Sequence, residues 1–244
     1  MKVYLAQPWG GLGDNLQFTT LPKLYHDKGY ECYISSQNVC RNSEIFDFVW
    51  KNNPYIKGVA DHPPTIGANA PDLPLKTIDN IISSAELRHG FPPTNRYADV
   101  YYEPKLISDL HDKVIVDLSA STLFNVGIEK YYNMDTLFNL VSENIPKENV
   151  KFVQFSNVDF AHLSGGFEFE NNILMVNSIF EYADFIHSCK EYYCLYSGGN
   201  IMSSAIKHKY NSKVNITCFL HGTLQEHLDR GYFVFDNVKY IDVV

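Results

Sequence analysis

A glycine-rich junction between a strand and a helix lies at the start of this chain and constrains its fold more than any other feature. Val3-Tyr4-Leu5-Ala6 is a short apolar run that stops at Gln7-Pro8, and Gly10-Gly11-Leu12-Gly13-Asp14 follows. Leu16, Thr20, Leu21 and Leu24 then recur at helical spacing, which predicts a helix from Asn15 to His26. Gly29 ends that helix, and Glu31-Cys32-Tyr33-Ile34-Ser35 reads as a second strand. A strand, a helix and a strand in this order make a βαβ unit, which favours a parallel sheet and an α/β fold.

The pattern continues along the chain. Ser43 is placed to cap a helix over Glu44 to Lys51, Asn53-Pro54 ends it, and a short strand is expected at Ile56 to Ala60. Asp61 to Pro74 is rich in Pro, Gly and Ala and reads as a loop, while Ile78 to His89 fits a strand or a helix equally well. Tyr97 to Lys113 holds the domain boundary, because a second α/β series restarts at Lys113-Val114-Ile115-Val116-Asp117-Leu118. Helices are predicted at Met134 to Ile145, Ile179 to Cys189 and Asn200 to Lys209, with Gly198-Gly199 as the turn into the last of these. Strands are predicted at Val150 to Phe155, at Tyr192 to Tyr196 and at Lys213 to Leu220, where the sheet is expected to close.

Composition narrows the function. With 20 Lys plus Arg against 28 Asp plus Glu, the net charge is -8, and four arginines (Arg41, Arg88, Arg96 and Arg230) are too few to grip a phosphate backbone. A nucleic-acid partner is not expected. The five cysteines, Cys32, Cys40, Cys189, Cys194 and Cys218, lack CxxC spacing and read as buried free thiols. No apolar run approaches a membrane span and no leader pattern is evident, so a cytoplasmic protein is expected and Asn215-Ile216-Thr217 is discounted as a glycosylation acceptor. No H-E-x-x-H or comparable pair is present, so neither a metal site nor a cofactor is predicted.

Glycines at a strand-to-helix turn let backbone N–H groups approach an anion or a sugar closely. Here Asp14 follows the third glycine, and a carboxylate there opposes a pyrophosphate, which argues against a simple NAD site. On the residues alone Asp14 is either a helix cap or a general base.

Gly11-Leu12-Gly13-Asp14-Asn15-Leu16-Gln17-Phe18-Thr19-Thr20-Leu21-Pro22 resembles the first motif of the family 9, heptosyltransferase-like glycosyltransferases. The resemblance implies a GT-B-like α/β fold with parallel sheets, made of two facing Rossmann-like domains. Residues 1–110 would form the acceptor side and residues 111–244 the nucleotide-sugar side. It gives Asp14 the role of deprotonating the acceptor hydroxyl, with Gly10, Gly11 and Gly13 as the glycine turn. Val114 to Ser119 followed by Glu129-Lys130-Tyr131-Tyr132 is similar to the family's strand, small-residue turn and lysine-aromatic segment, whose lysine contacts donor phosphate. Lys130, Ser119, Ser121 and Thr122 inherit a donor role from it, and so do Ser197, Gly198, Gly199 and Asn200 at the turn after Leu195-Tyr196. His89 and Arg96 correspond in position to acceptor-side basic residues.

The chain departs from the family twice: Tyr196 stands where the family has aspartate and Ile201 where it has histidine. The chain is also short in its first half, so a heptose-lipopolysaccharide acceptor is not implied. Fucosyltransferases of GT-B type share the Gly-Gly-Leu-Gly turn, but they continue with Asn and carry a His-x-Arg-Arg-x-Asp segment absent here. The implied activity is inverting, metal-independent transfer of a sugar from a nucleoside-diphosphate donor to a glycan or glycolipid-like acceptor. The alternative is a non-catalytic module that binds nucleotide sugar or glycan.

Overall fold

The computed structural model describes residues 1–66, 80–119, 128–156 and 172–244. It divides into two compact units: Met1–Glu103 with Leu228–Phe235, and Pro104–His227 with Asp236–Val244.

Unit 1 holds a three-stranded parallel sheet of β1 (Lys2–Leu5), β2 (Glu31–Ser35) and β3 (Ile56–Ala60), in that order. Val3, Leu5, Cys32 and Ile34 alternate inward, as the period of two requires, and are buried, as are Leu16, Leu21, Phe48 and Trp50 of the unit's helices. The single helix predicted from Asn15 to His26 is in fact two, Leu12–Leu16 and Leu21–Asp27. The break has a local cause: the Thr19 hydroxyl donates to the Leu16 carbonyl at 2.7 Å, and Pro22 has no N–H to continue the ladder. The next helix is capped by Asn42 rather than Ser43, its side chain accepting from Ile45 N–H, and it widens to a π-helical turn over Asp47–Lys51. The open choice at residues 78–89 resolves as a helix, Ile81–Arg88, because Asn80 accepts from the N–H groups of Ile82 and Ser83.

Unit 2 holds six parallel strands: β4 (Val114–Asp117), β5 (Val150–Phe155), β6 (Ile173–Val176), β7 (Glu191–Leu195), β8 (Asn215–His221) and β9 (Lys239–Val243). Their spatial order is β6-β5-β4-β7-β8-β9. This is the doubly wound arrangement of a dinucleotide-binding fold, with the order reversing between β4 and β7. The sheet closes on β9 and not on β8, and β6 adds an edge that sequence periodicity did not reveal. β4 lies centrally with all four residues buried, which explains its continuous apolar run. The helix Met134–Asn144 covers one part of the sheet, and Leu137, Val141 and Ile145 bury against Val114, Val116, Tyr193 and Phe219. The helix Gly198–Tyr210 ends on Asn211, which takes the left-handed conformation that asparagine tolerates.

Candidate functional site

In unit 1 the candidates Gly10, Gly11, Gly13 and Asp14 gather at the glycine turn. The helix begins at Leu12, three residues earlier than an Asp14 cap requires, so Gly11 is the N-cap and Asp14 occupies the third helical position. From there the Asp14 carboxylate reaches back to accept the Gly11 N–H at 3.0 Å, one arm of a capping box. The Asp14 backbone is held just as firmly, since its carbonyl accepts the side-chain amides of both Gln7 and Gln17 at 2.9 Å. Asn15, fully buried, donates to the carbonyls of Gly11 and Val39 and accepts from the Trp50 indole N–H at 2.9 Å. Buried amides thus lock the turn from beneath while the carboxyl stays half-buried at its surface. Burial raises the Asp14 carboxyl above its ordinary 3.8, and the Gly11 N–H and the Arg41 charge pull it part of the way back.

Gly10 is needed for close approach. A methyl group there would sit 3.0 Å from the Arg41 backbone nitrogen and 3.1 Å from a Val39 methyl. Gly13 lies inside the short helix, where its carbonyl accepts from Gln17 N–H.

In unit 2 the corresponding place is the reversal point between β4 and β7, where doubly wound sheets bind ligands. Ser197 caps the helix Gly198–Tyr210, its hydroxyl oxygen accepting the Gly199 N–H at 3.2 Å. Gly198 and Gly199 therefore form the helix's first turn rather than a loop before it. The family-type lysine is coupled to this turn through its neighbour. Lys130 is exposed at the end of a 3-10 turn, Ile128–Lys130. Two residues on, the buried Tyr132 hydroxyl donates to the Phe219 carbonyl at 2.9 Å and accepts the Tyr196 N–H at 3.3 Å. One hydroxyl thereby ties the lysine segment to the residue preceding the Ser197 cap.

The remaining candidates divide. Ser119 is buried and turns both its N–H and its hydroxyl to the Asp117 carboxylate, so its donors are engaged by the protein. Asn200 points into the core, where it accepts from the Tyr240 hydroxyl at 3.5 Å. Ser121 and Thr122 lie outside the described residues. In unit 1, His89 shares a hydrogen bond with the Tyr25 hydroxyl at 3.0 Å and is pushed down to about 4, first by burial and then by the Arg88 charge. It is consequently a neutral ring at pH 7 and not a basic one. Arg96 is exposed, and its carbonyl accepts from the Asn80 side chain at 2.7 Å.

Sequence reading missed the group beneath the unit 2 turn. The buried Asp117 carboxylate, at the end of β4, accepts from the Tyr182 hydroxyl, and Tyr182 in turn shares a hydrogen bond with Tyr192. Burial, together with the Asp117 charge, holds both phenols protonated far above their ordinary range. A methyl on Gly199 would lie 2.5 Å from the Tyr192 oxygen and 2.8 Å from that of Tyr182. The available signal was an aspartate closing an otherwise apolar strand. The family-departing positions are also accounted for: the Tyr196 ring packs on His227 and His221 at 4.5 and 5.4 Å, and Ile201 is core. Among the described residues no group of three or more His, Cys, Asp or Glu is placed to hold a metal, and no helix is long and apolar enough to cross a membrane.

No family model and no curated protein matches the sequence. Solved structures do match its fold. The iron-containing dodecameric heptosyltransferase TibC in complex with ADP-D-beta-D-heptose superposes with a TM-score of 0.60 at 14% identity, over 89% of this chain and 57% of that one. This chain therefore spans little more than half of TibC. The family 9 glycosyltransferase of Veillonella parvula DSM 2008 gives 0.53 at 8% identity over 99% and 84%. E. coli heptosyltransferase WaaC with ADP gives 0.52 at 11% identity over 99% and 93%. Two α/β units with parallel sheets, on this likeness, give the chain the GT-B fold of the heptosyltransferase-like glycosyltransferases.

Proposed function

We propose that this protein is a glycosyltransferase that moves a sugar from a nucleoside-diphosphate donor to a hydroxyl of a glycan or related acceptor. The observation that carries this reading is the Asp14 carboxylate: fixed by the Gly11 N–H, backed by two side-chain amides, half-exposed and raised in basicity by burial. A general base needs a positioned carboxylate with a proton affinity above the solvated value, and Asp14 has both properties. In the reaction the acceptor hydroxyl gives its proton to Asp14 as its oxygen attacks the anomeric carbon. The bond to the diphosphate breaks on the opposite face, which inverts configuration. The leaving group's charge is met by protein groups rather than by a metal: the Lys130 ammonium and the first N–H groups of the helix Gly198–Tyr210.

Asp14→Asn tests the reading cleanly, because the amide oxygen can still accept the Gly11 N–H but cannot take up a proton. Transfer should fall by about 10²- to 10⁴-fold, the usual range for a general base, with donor binding retained. Unchanged transfer would discard Asp14 as the base. Donor placement is tested separately by thermal shift with nucleoside diphosphates and their sugars, where Lys130→Ala should abolish the stabilisation seen in the parent protein.

A second reading, a non-catalytic binding module, is favoured by Tyr196 and Ile201. The family's donor-contacting aspartate and histidine are replaced there by a ring packed on two imidazoles and by a buried core side chain. Donor-dependent stabilisation without product would select it.

A further inference from the structure

Trp9 is 59% exposed, an unusual state for the largest apolar side chain, and it stands immediately before the glycine turn. Its surroundings are not loose. The fully buried Gln7 side chain accepts the Trp9 N–H at 3.2 Å through its oxygen and donates to the Asp14 carbonyl at 2.9 Å through its nitrogen. One amide therefore spans the backbones of Trp9 and Asp14. Asn15 adds a second clamp, donating to the carbonyls of Trp9 at 3.5 Å and Val39 at 3.2 Å. Val39, itself 44% exposed, also gives its N–H to the Gln7 carbonyl at 2.9 Å. An exposed indole and an exposed valine are thus presented on the same rigid frame as the candidate base. Leaving an apolar ring in water on a locked backbone gains nothing for folding and suits a ligand contact carried by a preorganised frame.

We propose that Trp9 is an acceptor-binding residue whose indole covers the C–H face of a neutral sugar ring and thereby presents one of its hydroxyls to Asp14. The inference rests on the reading of Asp14 as the base and adds the class of acceptor. A pyranose has a face of C–H groups and an equator of hydroxyls, which matches a flat apolar ring beside a carboxylate. A nucleotide has a stackable base too, but its phosphates would meet the Asp14 charge, so the neutral sugar is the better fit.

The chain has two tryptophans, which makes the test direct. Trp50 is 1% exposed and bonded to Asn15, so acrylamide quenches Trp9 selectively. The probes are methyl glycosides of glucose, galactose, mannose and N-acetylglucosamine and their common disaccharides, at millimolar concentration, with nucleoside diphosphates as comparison. At least one glycoside should shield Trp9 from acrylamide. By NMR titration, Trp9→Ala should weaken that glycoside roughly ten-fold, and Trp9→Phe should restore most of the loss. Because the side chain is exposed, Trp9→Ala should move Tm by no more than about 2 °C. The proposal is overturned if no glycoside shields Trp9, if Trp9→Ala binds as the parent does, or if nucleoside diphosphates shield it instead. Shielding by a glycoside with no transfer from any nucleotide sugar would overturn the transferase reading while upholding Trp9 as a sugar platform. Transfer that is indifferent to Trp9→Ala would do the reverse.

Discussion

Both units place a carboxylate beside a glycine-bearing helix start, but they treat it in opposite ways. In unit 1 the Asp14 carboxylate stays at the surface, with the Gly11 N–H as its hydrogen-bond donor. In unit 2 Asp117 is sealed beneath the turn and accepts from the Ser119 N–H, the Ser119 hydroxyl and the Tyr182 hydroxyl. A carboxylate that accepts several hydrogen bonds and meets no solvent holds structure together. One that stays half-buried at the surface with a raised proton affinity is available for chemistry. The same strand-turn-helix motif can therefore serve reaction or scaffold, and what separates the two is which side of the turn the carboxylate occupies.

Exchanging the consequences of the two carboxylates is the sharpest way to break this contrast. Asp14→Asn should cost the 10²- to 10⁴-fold in transfer noted above while leaving stability within about 1 kcal/mol, since its cap is kept. Asp117→Ala should do the opposite. It strands three buried donors and should destabilise the protein by about 3 kcal/mol in denaturant titration. Equal stability losses in the two variants would erase the distinction.

A pH signature should belong to unit 1. His89 binds its proton at about 4 in the folded protein against 6.5 ordinarily, so the unfolded chain takes up protons first as the solution is acidified. Stability is complete above pH 6.5 and falls as pH drops towards 4, by up to about 3 kcal/mol. Denaturant titrations across that window should show the slope, and His89→Phe should flatten it.

The smallest expected effects come from the glycines. A methyl at Gly199 strikes two enclosed phenols at 2.5 and 2.8 Å, and a methyl at Gly11 strikes the Asp14 carboxylate at 2.6 Å. Overpacking costs about 1–3 kcal/mol, more than the roughly 1 kcal/mol that alanine gains over glycine within a helix, so Gly199→Ala should lower Tm. The half-exposed Asp14 can swing aside, so Gly11→Ala should change Tm little and instead reduce transfer.

The legible parts of this molecule were those in which one physical signal dominated. The β1 apolar run, the glycines and the following helix were readable because chain direction changes there with little tertiary help. β4 and β7 were readable because both faces are covered and their apolar runs are continuous. β9 escaped because Lys-Tyr-Ile-Asp-Val carries two charges at an edge, and its strand character comes from pairing with β8. The broken helix escaped because spacing reports which face is apolar and not that Thr19 bonds back to Leu16. Among the candidate residues, Asp14 stands out by its motif, whereas Asp117, Tyr182 and Tyr192 lie 65 and 10 residues apart in sequence and become a network only once the sheet exists.

The route of the chain between β8 and β9 has a further consequence. Residues Leu228–Phe235 belong to unit 1, where Phe235 is buried and its ring stacks 6.0 Å from Tyr97, and the chain then returns to supply β9 to unit 2. During synthesis at ~5–20 residues per second, unit 1 must wait for most of unit 2 to be translated before its own composition is complete. No single cut in the gene releases either unit intact. Their histories of gain, loss and exchange are bound together, and a recombination event that replaced one unit would have to splice at three places at once.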